Sequence, residues 1–237
     1  MRLVLALPGR WFRMPLGDPA AGERIRELAT ELVGGRDDRA GTRIALRRRL
    51  EAALERAEAG GAEQLHLGLA LEPDVPMPAA ASVYPGLPVP AESADADVVL
   101  AALVPLVLRA AHEPAGGTAT PGDDDRVFAT GRSRILRRPA VRDVQADAST
   151  GNAPASGTAP AAGTVSAADT VSAADTVPSL TIDYWLTVPG ERRAALLHLD
   201  LPLLAPAALL LALGDAIALA ARFEPTGGLA EELRADA

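Results

Sequence analysis

The 237 residues carry a formal charge of -8, no cysteine and only 3% aromatic side chains, and every basic residue is an arginine. Without cysteine there is no disulfide, thiolate metal site, iron–sulfur cluster or cysteine nucleophile, and without lysine there is neither a Walker-type phosphate loop nor a Schiff base. The acidic balance and the scarcity of stacking rings argue against a generic binder of nucleic acid or of anionic membrane.

Leu3, Leu5 and Leu7 alternate with smaller partners, and Pro8-Gly9 turns the chain into a second extended piece through Trp11 and Met14. The chain therefore opens on a strand pair or a bent strand. Asp18-Pro19 starts a helix whose stripe is Ile25, Leu28, Ala29, Leu32 and Val33, and Gly34-Gly35 stops it. A second helix begins near Thr42, carries Leu46, Leu50, Ala53, Leu54 and Ala57 inward, and ends at Gly60-Gly61. From Gln64 to Leu71 leucines recur at every second position, the period of a strand. Pro73 to Pro90, with six prolines, reads as a loop that leaves room for a short extended piece at Ala81–Val83.

Asp95 to Ala111 is apolar nearly all round, so that helix is expected to be largely covered by protein despite Pro105. Arg126 to Arg138 reads as one strand, with Val127, Ala129 and Ile135 on one side and Phe128, Arg132, Arg134 and Arg137 on the other. Residues 143–179 are mainly Ala, Thr, Ser, Gly, Pro and Asp, and repeat the hexad Thr-Val-Ser-Ala-Ala-Asp at Thr164 and Thr170. Such a stretch buries too little apolar surface to offset its ordering entropy, and is expected as a disordered, low-complexity insert. Leu180 to Val188 then alternate, Pro189-Gly190 turns, and Ala195, Leu197, Leu199 and Leu201 return, a β-hairpin. Pro206 opens a last helix, with Leu209, Leu210, Leu213, Ile217 and Ala220 expected inward and Asp215 and Arg222 on one stripe.

Hairpin-like neighbours with interleaved helices imply one α+β domain over 1–237: an antiparallel sheet packed by helices, an α/β sandwich. The opening apolar run is too short for a signal segment, and the longest uncharged run, Leu201–Gly214, is too short to span a bilayer. The expectation is a cytoplasmic protein with no membrane insertion.

Leu7-Pro8-Gly9-Arg10-Trp11, the hairpin from Asp183 to Gly190 and the closing Leu213-Gly214-Asp215-Ala216-Ile217-Ala218 resemble the Mog1/PsbP-like fold of small actinobacterial proteins. The arginine, alanine and proline usage looks like that of a GC-rich genome. Gly214 stands where those chains carry an aromatic residue. The resemblance implies a binding or assembly module, accessory to a larger assembly or secretion system, and it transfers no functional residue.

The residues offer little catalytic chemistry. Gly131-Arg132-Ser133-Arg134-Ile135 starts like a nucleophile elbow but lacks its closing glycine. Asp123, Asp124 and Asp125 are contiguous, whereas a calcium loop alternates its ligands; His112 stands alone, and His66 and His198 are strand positions that could be neighbours across the sheet. No cofactor or metal is expected. Arg132, Arg134, Arg137, Arg138 and Arg142 could form a basic stripe at one sheet edge. The reading is a non-enzymatic binding or adaptor domain that takes another protein, with Trp11, Trp185, Arg132 and Arg134 as candidate contact residues. Two alternatives stand beside it. One is a small hydrolase, which requires two or more of His66, His198, Ser133 and Asp183 to converge in a pocket. The other is a small-ligand binder with a cavity between sheet and helix lined by Leu and Val.

Overall fold

The computed structural model of the chain describes residues 1–72, 75–111, 124–142 and 178–226. Of the expected insert, residues 143–177 lie outside the described residues, as do His112, Glu113 and Asp123. The chain is mixed α+β, with helices packed on an antiparallel sheet as expected. Seven strands form the sheet: β2 (Arg10–Arg13), β3 (Gln64–Glu72), β4 (Val75–Pro88), β5 (Arg126–Thr130), β6 (Ser133–Arg142), β7 (Ser179–Thr187) and β8 (Arg193–Pro202). Their order is β2-β3-β4-β8-β7-β6-β5, and every pair is antiparallel. A separate two-stranded ribbon joins β1 (Arg2–Val4) to β9 (Arg222–Glu224).

The helices divide the sheet into two faces. On one, α4 (Ala207–Ala220) and the ribbon cover Ala81, Val83, Ile135, Ile182, Tyr184, Leu197 and Leu199, which form the largest apolar cluster with Leu3, Leu210 and Ile217. On the other, α1 (Ala21–Val33) and α2 (Ala40–Ala59) enclose Ile25, Leu28, Leu50 and Leu54 over Leu65, Leu67 and Ala80. Further along that face, α3 (Ala96–Ala111) places Val99, Leu100, Leu103 and Val107 over Leu136 and Ala194. The expected β7–β8 hairpin forms in register from Ser179↔Pro202 to Thr187↔Ala194. At its turn Glu191 N donates to Val188 O, with Pro189 and then Gly190 (φ 72°) in the middle, the order a type II turn demands.

Four expectations need correction. The expected loop over Pro73–Pro90 gives way to the interior strand β4 from Val75 to Pro88, of which the short extended piece expected at Ala81–Val83 is only the middle. Its prolines escape the usual penalty for breaking a ladder because they flank the ordered pairing. Ala79 to Tyr84 pair without a break, while the register shifts between Gly68 and Ala70 opposite Pro76 and Pro78, and again between Tyr84 and Leu87 around Pro85. Arg126–Arg138 is not one strand either. A two-residue turn at Gly131-Arg132 folds it back, pairing Thr130 with Ser133, so Phe128 lies opposite Ile135 toward the core and Val127 is exposed. Helix α3 is less covered than expected, with Val98, Ala101, Pro105 and Leu106 exposed. Helix α4 turns Leu210, Gly214, Ile217 and Ala218 inward and leaves Leu209 and Ala220 outside, while Arg222 lies beyond its end, in β9.

Candidate functional site

The four candidate contact residues do not share a surface. Trp11 in β2 is half-buried against the α4-side core, and its indole N–H donates to Pro8 O at 2.7 Å. That closure depends on Gly9, whose φ of 81° and close approach to Ala70 O and Leu71 admit no side chain. Trp185, on the opposite face, packs with the α3 cluster, and its buried indole nitrogen has no hydrogen-bond partner among the described residues. Arg132 is exposed in the β5–β6 turn. Arg134 reaches α3, with Nε and Nη2 donating to the two Asp97 carboxylate oxygens at 2.6 and 2.8 Å. That hydrogen bond, ahead of the charge of Asp97, holds the guanidinium above its already high ordinary pKa.

The expected basic stripe is absent for the same reason. Alternation sends Arg137 toward α4 and Arg134 and Arg138 toward α3, where Arg138 Nε lies 3.3 Å from Asp125 Oδ2 and Nη1 donates to Val107 O. Under α4, Arg137 is 4% exposed, with Nη1 donating to Asp215 Oδ2 at 2.7 Å and Nη2 to Asp124 O, and its guanidinium lies 5.7 Å from the Phe128 ring centre. Tyr184 Oη donates to the other Asp215 oxygen at 2.8 Å. Burial first, then the Asp215 hydrogen bond and charge, hold the Tyr184 phenol well above its ordinary range, with Arg137 acting the other way.

On the α1–α3 face a polar row crosses four strands. Ser82 of β4 stands opposite His198 of β8, His198 opposite Asp183 of β7, and Asp183 opposite Arg138 of β6. His198 Nδ1 is 2.6 Å from Asp183 Oδ1, and the buried Nε2 has no hydrogen-bond partner among the described residues. With Nδ1–H donating to the carboxylate, the imidazole leaves only an acceptor unsatisfied. Beside it, burial raises the Tyr84 phenol, which the Ser82 hydroxyl opposes and the charge of Asp183 reinforces. A serine, an imidazole and a carboxylate in line are the components of acyl transfer. Here Ser82 is 0% and His198 1% exposed, so the hydroxyl and the imidazole are shielded from a substrate, while the Asp183 side chain is 41% exposed. Of the hydrolase candidates only His198 and Asp183 meet. Ser133 lies five residues along β6 from Arg138, some 16 Å away at about 3.3 Å per residue. His66 is opposite Ala81 on the other face, so the two histidines are not neighbours.

Two apolar surfaces remain. The outer side of α4 exposes Leu209 (63%), Leu219 (45%) and the preceding Leu204 (64%), with Ala208, Ala212, Ala216 and Ala220 at four-residue spacing between them. From Leu201 to Ala221 the sole charged residue is Asp215, and it faces inward. The second surface is a trough of about 670 Å³ between α1, α2 and β3, walled by Leu28, Leu32, Leu46, Leu50, Leu67 and Leu69.

No family model, no curated protein and no solved structure matches the chain.

Among the described residues no three His, Cys, Asp or Glu side chains gather as a metal site, and no helix is long and apolar enough to cross a membrane. Ser82 lies in the extended piece expected at Ala81–Val83, but its place opposite His198 was not legible, because the rest of β4 is hidden among prolines. The sequence reading missed the trough's particular walls, although Leu and Val between helix and sheet were the pattern anticipated.

Proposed function

We propose that the chain is a binding module that holds another protein against the outer face of α4. The observation that carries this is the uncharged, leucine- and alanine-built exposed side of that helix on a chain of charge -8. Isolated exposed leucines are ordinary, but a contiguous apolar face rimmed by polar surface is the usual mark of a contact site. The alanines at four-residue spacing form a low ridge over which a partner helix can approach closely, with Leu204, Leu209 and Leu219 as its anchors. Charge selects the occupant: a second acidic copy is repelled, so the partner is a different protein that presents an apolar helix with neutral or basic flanks. The resemblance of Asp183–Gly190 to Mog1/PsbP-like chains supports the same reading, since it implies contact rather than turnover.

The test is photo-crosslinking in the producing cells, with a benzophenone amino acid at Leu209 and, in a parallel strain, at exposed Arg48 on α2. A distinct heterologous adduct at Leu209 that is absent at Arg48 and lost in an Ala212→Arg background supports the reading. No adduct at Leu209, identical adducts at both positions, or a self-adduct overturns it.

A further inference from the structure

Helices α1 and α2 pack against each other and against β3, yet between them they leave the trough of about 670 Å³, well inside the range of small-molecule sites. Its walls are leucine, and Leu32 at its lip is 45% exposed, so apolar surface is left facing water. Among the residues lining it only Arg49 carries a charge. Thr42 also lines it, and the two are seven residues apart on α2, two helical turns, so one edge of an otherwise apolar trough is polar.

The end of the trough at the α1–α2 connection is arginine-rich as well. Arg39 Nη1 donates to Val33 O, and Arg43 Nη1 donates to Gly34 O at 2.8 Å and Arg36 O at 2.6 Å. Asp37 and Asp38 lie between Arg36 and Arg39 in that connection and offset much of their charge, so the charge in the trough's own lining is that of Arg49.

We infer that this trough binds a free aliphatic carboxylate, with its tail against the leucine walls and its head at Arg49 and Thr42. The walls exclude a polar ligand, whose groups would be buried without partners. A guanidinium offers hydrogen-bond donors and no acceptor, so Arg49 selects an accepting head group over an ammonium. A planar guanidinium matches a carboxylate through two parallel hydrogen bonds, and Arg49, which has a partner within the protein, takes the ligand beside or in place of it. This site is independent of the α4 face, on which the proposed function rests.

The experiment titrates decanoate, decanol and decylamine into the purified full chain and follows leucine methyl resonances by NMR, with Arg49→Gln and Leu32→Glu as variants. Decanoate is expected to shift the methyls of Leu28, Leu46 and Leu67 while leaving Leu209 unmoved. Arg49→Gln should weaken decanoate about tenfold or more while leaving decanol unchanged, the size of a lost charge-assisted hydrogen bond. Leu32→Glu, at an exposed position where the fold tolerates it, places a carboxylate at the lip and should abolish decanoate binding. No shift of the trough methyls with decanoate overturns the proposal in the wild-type protein alone. Equal affinities for decanoate and decanol that Arg49→Gln does not separate, or preference for decylamine, overturn it too. Shifts confined to Leu209 would leave the α4 reading standing and this one refuted.

Discussion

Arg137 and Asp215, 78 residues apart, meet at 2.7 Å beneath α4 and tie β6 to the helix that closes the main core. Tyr184 holds the second carboxylate oxygen from β7, so one carboxylate joins three elements. An ion pair of this kind adds little over an apolar replacement, because both charges are desolvated, but removing one partner strands the other. Asp215→Ala should therefore destabilise the fold by roughly 3 kcal/mol, and the paired Arg137→Met, Asp215→Leu variant should recover most of that loss. Urea unfolding of the three proteins checks it, and a single variant within about 0.5 kcal/mol of wild type would refute the account.

Burial of the phenols fixes an alkaline limit. Both tyrosines of the chain, Tyr84 and Tyr184, are held above their ordinary value of 10, burial being the first cause in each. A raised folded pKa gives a stabilisation that is complete below the unfolded value and is lost as pH rises past it. In a spectrophotometric titration the phenolate band should stay absent through pH 10 and emerge together with loss of the fold. A band that grows at the ordinary tyrosine pKa in folded protein would contradict the buried placement.

His66 sets the acid side. Burial first, then Arg13 opposite it in β2 and Arg2, push its pKa from 6.5 down to about 4. Because the folded value lies below the unfolded one, the stability tied to neutral His66 is intact above about pH 6.5 and is lost as pH falls toward 4, on the order of 2–3 kcal/mol. Measured against His66→Gln, which removes the titrating group while keeping a partner for Gln64, the wild-type protein should lose stability faster between those pH values. Parallel curves for the two proteins would refute the assignment.

Much of the sheet was legible in the sequence, and the gaps have physical causes. The β7–β8 hairpin was readable because Leu180 to Val188 alternate cleanly and a Pro-Gly turn fixes the register. Helices α1 and α2 were readable because their apolar stripes are one-sided and end at Gly34-Gly35 and Gly60-Gly61. Strand β4 was legible only as a short piece at Ala81–Val83, because proline composition outweighs the well-paired residues Ala79 to Tyr84, and so the polar row through Ser82 was not legible. The phase of α4 could not be read because a helix apolar on every side has no preferred face. What orients it is Asp215, whose buried partner Arg137 is far away in sequence and looked like one charge of a surface stripe. The trough was anticipated as a type of cavity, but its position depends on how α1 and α2 splay over β3.

Gly214 marks where α4 comes closest to the sheet. A Cβ there would lie 2.6 Å from Tyr184 Oη and 2.9 Å from Ile182 Cδ1. Alanine improves helix propensity by about 1 kcal/mol, but overpacking of this severity costs typically 1–3 kcal/mol and would also displace Tyr184 from Asp215. Gly214→Ala should therefore be net destabilising, while Ala216→Ser on the exposed side should be close to neutral. Thermal unfolding of the two variants distinguishes them, and a stabilised Gly214→Ala protein would mean that the helix does not approach so closely.

The Ser82–His198–Asp183 row yields the last expectation. A carboxylate on Nδ1 gives His198 the orientation of a general base, and Ser82 faces it from the next strand. Catalysis also requires that a substrate reach the hydroxyl, and Ser82 has no exposed surface. A fluorophosphonate probe should therefore leave Ser82 unlabelled in the folded protein, and His198→Phe should act on stability rather than on reactivity. The buried Nε2, without a partner among the described residues, means that phenylalanine deletes an unsatisfied acceptor at the same time as it strands Asp183, which is 41% exposed on its side chain and can turn to water. The net change is expected to stay within about 2 kcal/mol. Stoichiometric labelling of Ser82 that His198→Phe abolishes would show that the row opens and would put a hydrolase ahead of the binding reading.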